Sequence, residues 1–295
     1  MSAPLLSLKN SSIISSSEFN LFISAGSIDD RSGFIFSIIG SRAKENWIYA
    51  DHATDILLPD SFRQRFKNWL IGFNSPPHVF LDISGLTRPE MADIVTTFFE
   101  AAELCLFSVS VGYVIAGFTP PPIGLPPNDD IRPVSEEFAG WPRYPSARTS
   151  LIVGLGYERE KAEGACEYFD SNEIQVFVPN SPITQYGTAI VENNKMLLDS
   201  AVRNNNAHTY NLEDPEQTFG QLVSVVATLV NRSNPVILPL GPKLFFVLSL
   251  VVAELYKEVG VWHVTSEMSL SSVNFLPSDH HIGFRMELGR HKLIN

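Results

Sequence analysis

A proline-dense segment near the middle of the chain limits what this sequence can fold into. Eight of the 20 prolines in the 295-residue chain lie within residues 117–149. Proline lacks a backbone N–H and has a fixed φ angle, so this density is incompatible with a helix or a central strand. The segment is therefore predicted to be a linker with one domain on either side.

Short β-rich runs alternate with amphipathic segments on both sides of this linker. The clearest helix is predicted to begin at Thr87, where Thr87 and Glu90 match a capping box ahead of an apolar stripe with a helical period. A second capping box begins at Asp214, and one helix is expected over about residues 184–201. Because such alternation is typical of βαβ units, the predicted fold is α/β, with two Rossmann-like domains and mainly parallel sheets.

The predicted domain boundaries follow the linker. Residues 1–18 are Ser-rich and are expected to form a flexible N-terminal tail. Residues 19–116 form the N-terminal domain and residues 117–149 the linker. Residues 150–295 form the C-terminal domain, in which about the last thirty residues are expected to add edge strands.

Composition disfavours several classes of function. Lys plus Arg number 21 and Asp plus Glu 32, and the resulting net charge of −11 disfavours direct, non-specific binding to nucleic acid. Cys105 and Cys166 lie in apolar patterns and are expected to be buried thiols in a reducing compartment. The long apolar stretch of residues 235–253 is interrupted by prolines and Lys243, so no membrane span is expected. The predicted location is cytoplasmic.

Three loops in the C-terminal half are candidate binding sites. Open α/β sheets bind ligands at the carboxyl ends of their strands, where helix N-termini present amide N–H groups to anions. The candidate ligand-binding residues selected by this rule are Gly154, Gly156, Glu158, Arg159, Asn180, Gly241 and Lys243.

These loops also allow simpler interpretations. Gly154 and Gly156 do not continue into a dinucleotide fingerprint, because Arg159 occupies the position of its third glycine. The glycines bring the backbone close to a ligand, or they form a tight turn without one. Lys243 either contacts a bound phosphate or lies at the rim of the sheet. The ligand role is favoured, because a charge in such an apolar run needs a partner.

Polar residues also follow two strands of the N-terminal half. The candidate ligand-binding residues there are Ser24, Ser27, Asp29, Arg31, Asp82, Ser84 and Arg88. Their hydroxyl, carboxylate and guanidinium groups can hold a polar ligand if the two strands are neighbours. The other interpretation, an Asp-rich helix cap followed by a surface arginine, is slightly favoured.

The second half of the chain contains, in order, the segments LIVGLGYEREKAEGA, IQVFVP and NPVILPLGPKLFF. In this order they resemble the CRISPR-associated Rossmann-fold (CARF) sensor domains, over roughly residues 149–259. The resemblance implies that residues 154–159 and a lysine loop of Leu240, Gly241 and Lys243 bind a cyclic oligonucleotide, usually across a homodimer axis. Pro242 stands where the family typically has a hydroxyl residue.

The leading hypothesis is a nucleotide-binding or nucleotide-sensing protein. It would be a regulatory subunit in bacterial anti-phage defence, acting as a homodimer or with a partner effector protein. No catalytic residue or metal site is predicted, and no cofactor is identified. One alternative is an enzyme acting on a nucleotide or phosphate ester, with Asp29, Asp30 or Asp82 as base and Lys243 or Arg31 holding phosphate. Another is a non-catalytic scaffold subunit of a larger complex.

Two short motifs point to other enzyme classes. Arg203, Asn204 and His208 match the R-N-x-x-x-H pattern of HEPN ribonucleases, and residues 279–281 spell the DHH of phosphoesterases. The first motif requires a helical-bundle dimer, and the second is not accompanied by an upstream Asp-x-Asp motif. Both are therefore predicted to be polar surface segments.

Overall fold

The computed structural model describes residues 5–11, 18–26, 29–49, 59–120, 130–158, 161–171, 173–265 and 275–289. The strands of these residues are β1 (Leu5–Asn10), β2 (Phe19–Ser24), β3 (Ala43–Ile48), β4 (His78–Asp82), β5 (Phe107–Ala116), β6 (Asp130–Pro133), β7 (Thr149–Gly154), β8 (Glu173–Asn180), β9 (Ala207–Asn211), β10 (Asn234–Pro239), β11 (Gly260–Thr265) and β12 (Pro277–Gly289). The helices are α1 (Phe34–Ile39), α2 (Pro59–Leu70), α3 (Arg88–Ala102), α4 (Lys161–Phe169), α5 (Thr184–Asn193), α6 (Lys195–Arg203), α7 (Pro215–Leu229) and α8 (Lys243–Leu255).

The chain divides into two compact units. The first consists of Met1–Gly117 and Val273–Asn295, and the second of Phe118–Ser272. Each unit contains one six-stranded, mainly parallel mixed sheet with helices between its parallel strands. The fold is therefore α/β with two Rossmann-like domains, as predicted.

The sheet of the first unit has the strand order β1-β12-β5-β4-β2-β3. Strands β5, β4, β2 and β3 are parallel, whereas β12 and β1 are antiparallel additions on one side. Because β3 and β4 flank β2 on opposite sides, the strand order reverses between β2 and β4. Such a reversal opens a crevice at the carboxyl ends of the strands, where open α/β sheets bind ligands.

The sheet of the second unit has the order β6-β11-β10-β7-β8-β9. Strands β11, β10, β7, β8 and β9 are parallel, and β6 is antiparallel to β11. The order here reverses between β7 and β10, so the second crevice lies between the loops that follow these two strands.

Three segments lie elsewhere than the sequence predicted. Strand β1 lies in the predicted tail and pairs with β12. Strand β12, predicted in the C-terminal domain, pairs with β5 of the first unit. Neither β11 nor β12 is an edge strand, because β6 and β1 cover their outer sides. Strand β6 lies in the predicted linker, which also buries Phe138. Pairing between segments distant in sequence overrides the local composition in each case.

The predicted helix caps are present. The Thr87 side chain accepts a hydrogen bond from the Glu90 N–H in a complete capping box, and the Asp214 side chain accepts one from the Gln217 N–H. Nearly all of α8 is buried. No helix in the described part of the chain is long and apolar enough to cross a bilayer. Both cysteines are free thiols; Cys166 is buried as predicted, whereas Cys105 is only partly buried.

Candidate functional site

Two glycine-containing loops of the second unit meet where the strand order reverses. The first glycine loop comprises residues 154–158 after β7, and the second comprises residues 240–242 after β10. Strand β7 ends at Gly154, and the second loop follows the end of β10. The N–H groups of Leu240 and Gly241 both donate to the Gly154 carbonyl oxygen, at 2.9 and 3.1 Å. The structure thus brings together two of the three loops that the strand-end rule selects in this half of the chain.

The contact between these loops is close enough to require glycine. A Cβ atom at Gly241 would lie 2.3 Å from the Leu155 carbonyl oxygen, and one at Gly156 would lie 2.6 Å from the Leu240 carbonyl oxygen. Gly154 makes room for an aromatic ring of α8. Packing alone therefore accounts for all three glycines, so their presence does not by itself indicate a ligand.

Two asparagines orient the backbone of the first loop. The Asn194 side-chain amide donates to the Gly156 carbonyl oxygen at 2.9 Å, and that of Asn193 donates to the Tyr157 carbonyl oxygen at 2.7 Å. In a trans peptide the C=O and the following N–H point in opposite directions. The N–H groups of Tyr157 and Glu158 therefore point away from the asparagines. Successive N–H groups held in this way can form an anion-binding concavity.

These asparagines lie at a helix break that the sequence analysis missed. The single helix expected over residues 184–201 is two helices, because α5 ends at Asn193 and α6 begins at Lys195. Asn194 is 1% exposed, and its amide also donates to the Ile190 carbonyl oxygen at 2.8 Å. Asparagine competes for backbone hydrogen bonds inside helices. The Asn-Asn pair was therefore the available signal for this break.

Lys243 follows the second glycine loop directly. It is the first residue of α8, two residues after Gly241, and it is half-buried. The N-cap of α8 is Pro242, which makes no side-chain capping hydrogen bond to the first turn. The first turn of α8 thus lacks the capping oxygen that Ser, Thr, Asn or Asp supplies at most helix N-termini.

The other predicted residues of this edge are less informative. Glu158 forms an ion pair with Lys161, with 2.7 Å between Oε2 and Nζ. Asn180 is the last residue of β8, and its side chain is exposed. Arg159 lies outside the described residues.

An aromatic cluster lies beside the first glycine loop. The rings of Phe118, Tyr157 and Tyr186 contact one another, with centroid separations of 5.1 to 6.3 Å. All three side chains are half-buried. Half-buried aromatic rings next to a backbone anion site are suited to stacking against a base.

The predicted polar residues of the first unit mostly bind one another. Arg31 and Asp29 form an ion pair at 3.3 Å, and both side chains are less than one-tenth exposed. Asp29 also accepts a hydrogen bond from the Ser32 N–H at 2.7 Å, and the Arg31 guanidinium lies 5.3 Å from the Phe275 ring centroid. The expected surface arginine is therefore a buried one, held by a carboxylate and an aromatic ring.

Three further predicted residues of this edge are buried. The Ser84 N–H donates to Asp82 Oδ1 at 2.9 Å, and the Val114 N–H donates to Ser84 Oγ at 3.0 Å. Ser24 Oγ accepts a hydrogen bond from the Gly26 N–H at 3.3 Å. Asp82 is only 1% exposed, and such a carboxylate is poorly placed to contact a substrate. This burial argues against Asp82 as a catalytic base.

Tyr113 of β5 belongs to the same edge and was not predicted. The guanidinium groups of Arg31 and Arg88 are close enough to Tyr113 to affect its ionisation. Burial raises the pKa of Tyr113, and the two arginines oppose that increase. Every residue of β5 is buried, so the sequence pattern makes Tyr113 look like an ordinary core residue. Ser27 lies outside the described residues.

The two short enzyme motifs lie within the α/β elements. Arg203 ends α6 and His208 lies in β9, whereas residues 279–281 lie in β12. No three His, Cys, Asp or Glu side chains among the described residues are grouped closely enough to hold a metal ion.

The chain matches no protein-family model and no curated protein sequence.

Proposed function

We propose that this protein binds a phosphate-bearing nucleotide at the carboxyl edge of the second sheet and acts as a nucleotide sensor. The observation that carries the proposal is the oriented backbone of the first glycine loop. Asn193 and Asn194 hold two successive carbonyl oxygens on one side, and the N–H groups of Tyr157 and Glu158 face the other. Fixed N–H groups of this kind bind phosphate oxygens without first having to be ordered.

The strand order and charge at this edge support a phosphate ligand. The loop lies at the reversal between β7 and β10, where open α/β sheets bind their ligands. Lys243 begins α8 two residues after Gly241, whose N–H contacts the Gly154 carbonyl oxygen, so the positive end of a 13-residue helix follows the loop that packs against the first glycine loop.

The aromatic cluster supports a nucleotide over a simple phosphate ion. Tyr157 belongs both to the oriented loop and to the cluster with Phe118 and Tyr186. A ligand whose phosphate lies on the loop would therefore place a neighbouring group against aromatic rings. Base stacking on such rings contributes roughly 1–3 kcal/mol per base.

The CARF-like order of motifs suggests a narrower form of this proposal. In that form the ligand is a cyclic oligonucleotide, the protein acts as a homodimer, and binding regulates an effector in bacterial anti-phage defence. This form rests on the resemblance, whereas the nucleotide site itself rests on the loop geometry. A ligand panel distinguishes the two forms of the proposal. Binding of a linear mononucleotide would agree with the loop geometry but would not support a cyclic oligonucleotide as the ligand.

Isothermal titration calorimetry tests the proposal. The panel contains mono-, di- and cyclic nucleotides, with inorganic phosphate and pyrophosphate as ligands that lack a base. We expect at least one nucleotide to bind and Lys243→Ala to weaken it about tenfold or more, because a hydrogen bond to a charged group contributes roughly 1.5–3 kcal/mol. Recovery of the unchanged nucleotide after incubation separates binding from turnover.

Lys195→Ala is the matched control. Lys195 is exposed on α6 and pairs there with Asp199, so its removal changes the net charge by the same amount as Lys243→Ala and should leave affinity unchanged. The absence of binding across the panel by a folded protein would exclude the proposal. An equal loss of nucleotide affinity in Lys243→Ala and Lys195→Ala would mean that the loss reflects net charge and not a contact made by Lys243.

A further inference from the structure

Phe118 is the first residue of the second unit, and its ring belongs to the aromatic cluster beside the first glycine loop. The chain leaves the first unit at Gly117 and enters the second at Phe118. Measured between centroids, the Phe118 ring lies 5.1 Å from that of Tyr186 and 6.3 Å from that of Tyr157. A side chain at the point where the chain changes units is therefore part of the proposed nucleotide site.

The residues just before Phe118 are fixed within the first unit. Strand β5 ends at Ala116 and pairs with both β4 and β12, so it lies inside the first sheet. The Gly117 N–H then donates to the Leu276 carbonyl oxygen at 2.9 Å. A single peptide bond thus joins Phe118 to a segment that is hydrogen-bonded as far as Gly117.

Tyr157 connects the aromatic rings with the oriented backbone of the first glycine loop. Its carbonyl oxygen accepts a hydrogen bond from the Asn193 amide, and its ring contacts the Phe118 ring. Its N–H is one of the two groups that we propose to bind phosphate. A nucleotide bound to this loop would therefore act on the same residue that contacts Phe118.

The connection from the loop to the first sheet is short. Tyr157 and Phe118 are in ring contact, and the Cα atoms of Gly117 and Phe118 are separated by one trans peptide, about 3.8 Å. A flexible linker samples many end-to-end distances and transmits little restraint. A single peptide bond between two ordered residues has no such freedom.

We infer that Phe118 couples nucleotide binding in the second unit to the local stability of the first. The inference rests on the nucleotide site proposed above. A base that stacks on the cluster adds contacts to half-buried rings and restricts the motion of Phe118. Because Phe118 is bonded directly to Gly117, this restriction should make the end of β5 open less often. The first unit is then the part of the chain that responds to the nucleotide.

Hydrogen–deuterium exchange measured by mass spectrometry tests this coupling in the full chain. The probe is whichever of AMP, ADP, GMP, cyclic AMP and cyclic di-AMP binds most tightly in calorimetry, added to saturation. We expect backbone exchange over residues 107–117 to slow about fivefold or more, the lower end of the coupling usually found between two sites.

Two glycines inserted between Gly117 and Phe118 separate binding from coupling. The insertion retains the three rings and the glycine loop, and it replaces a direct bond with a flexible connection. The nucleotide should still bind, whereas the slowing of exchange over residues 107–117 should be lost. The matched control is the same insertion between Asn204 and Asn205, two exposed residues after α6, where the slowing should remain.

Phe118→Leu tests the ring itself. It keeps an apolar side chain and removes the aromatic contacts, so nucleotide affinity should fall about fivefold or more through the loss of base stacking. Exchange over residues 107–117 should then not slow even at saturation. Circular dichroism of each variant confirms that it is folded.

The possible outcomes distinguish this inference from the proposed function. If none of the five nucleotides binds the folded protein, the nucleotide site is excluded and the coupling with it. If a nucleotide binds and exchange over residues 107–117 is unchanged, the coupling alone is overturned. Slowing that persists after the insertion between Gly117 and Phe118 also overturns it, because the restraint would then follow another route.

Discussion

The two sheets have comparable carboxyl edges that differ in how their polar groups are satisfied. In the first unit the α3 N-terminus is capped by Thr87, and Asp29, Arg31, Asp82 and Ser84 form buried contacts within the same edge. In the second unit α8 follows Pro242 without a side-chain cap, and asparagines orient the neighbouring backbone. The first edge is thus built from mutually satisfied polar groups, whereas the second is the edge at which we propose binding.

This difference separates the effects of substitutions. Replacing a polar residue at the first edge removes an internal partner from a buried group, so stability should fall. Replacing one at the second edge should mainly change affinity.

Asp29→Ala should be the most destabilising change. It leaves the Arg31 guanidinium, whose side chain is 9% exposed, without its carboxylate partner, and breaking a buried pair in this way costs about 3–5 kcal/mol. Urea denaturation provides the measurement. Tryptophan fluorescence in a W141F/W262F background reports the first unit alone. The two tryptophans that this background retains, Trp47 and Trp69, both belong to the first unit.

The exposed pair between Lys195 and Asp199 supplies the control for that experiment. Its side chains are 72% and 51% exposed, so Asp199→Ala should cost about 0.5 kcal/mol or less. A cost below about 1 kcal/mol for Asp29→Ala would show that its ion pair behaves like this exposed one. The first edge would then have no special structural role.

Asn194→Ala should affect both stability and binding in the second unit. It removes two buried hydrogen bonds, to Gly156 and Ile190, and leaves their carbonyl oxygens without these donors, at about 1–3 kcal/mol. Nucleotide affinity should fall because the first glycine loop loses its fixed orientation. Calorimetry and urea denaturation in a W47F/W69F background measure the two effects, with Asn204→Ala, at an exposed residue directly after α6, as a comparison. A change in stability with unchanged affinity would mean that Asn194 does not position the binding loop.

His78 provides a smaller, pH-dependent test of the first unit. Burial lowers the pKa of His78 from 6.5 to about 4, so between these values the unfolded chain binds more protons than the folded one. The free energy of unfolding should therefore fall as the pH is lowered from about 6.5 to 4. His78→Gln, which retains a partner for Ser110 Oγ, should flatten this dependence in urea titrations between pH 7 and 5. An unchanged pH dependence in the variant would assign the effect to other groups.

The sequence predicted the α/β class and the helix caps because these depend on local patterns. Thr87 and Asp214 cap helices where expected, and the glycine loops lie at the ends of β7 and β10. Strand order and domain membership depend on pairing between distant segments. Strand β12 joins the first unit through pairing with β5, more than 150 residues earlier in the chain, which no local composition reveals.

The candidate site was harder to predict than the fold. The glycines and Lys243 were found because strand ends have a recognisable pattern. The orienting residues were missed because Asn193 and Asn194 lie in a segment with otherwise helical character, and their partners lie 36 and 38 residues away.

Lys243→Ala tests the comparison at the second edge. Lys243 is half-buried at the start of α8, and a polar or ionic contact of a partly exposed side chain contributes about 1 kcal/mol or less, so the loss of stability should be small. The same variant should lose most of its nucleotide affinity, so stability and binding should separate at this residue. Urea denaturation and calorimetry on the same preparation make the comparison. If Lys243→Ala instead costs more than about 1 kcal/mol, Lys243 belongs with Arg31 and Asp29 as a structural residue, and both sheet edges serve stability.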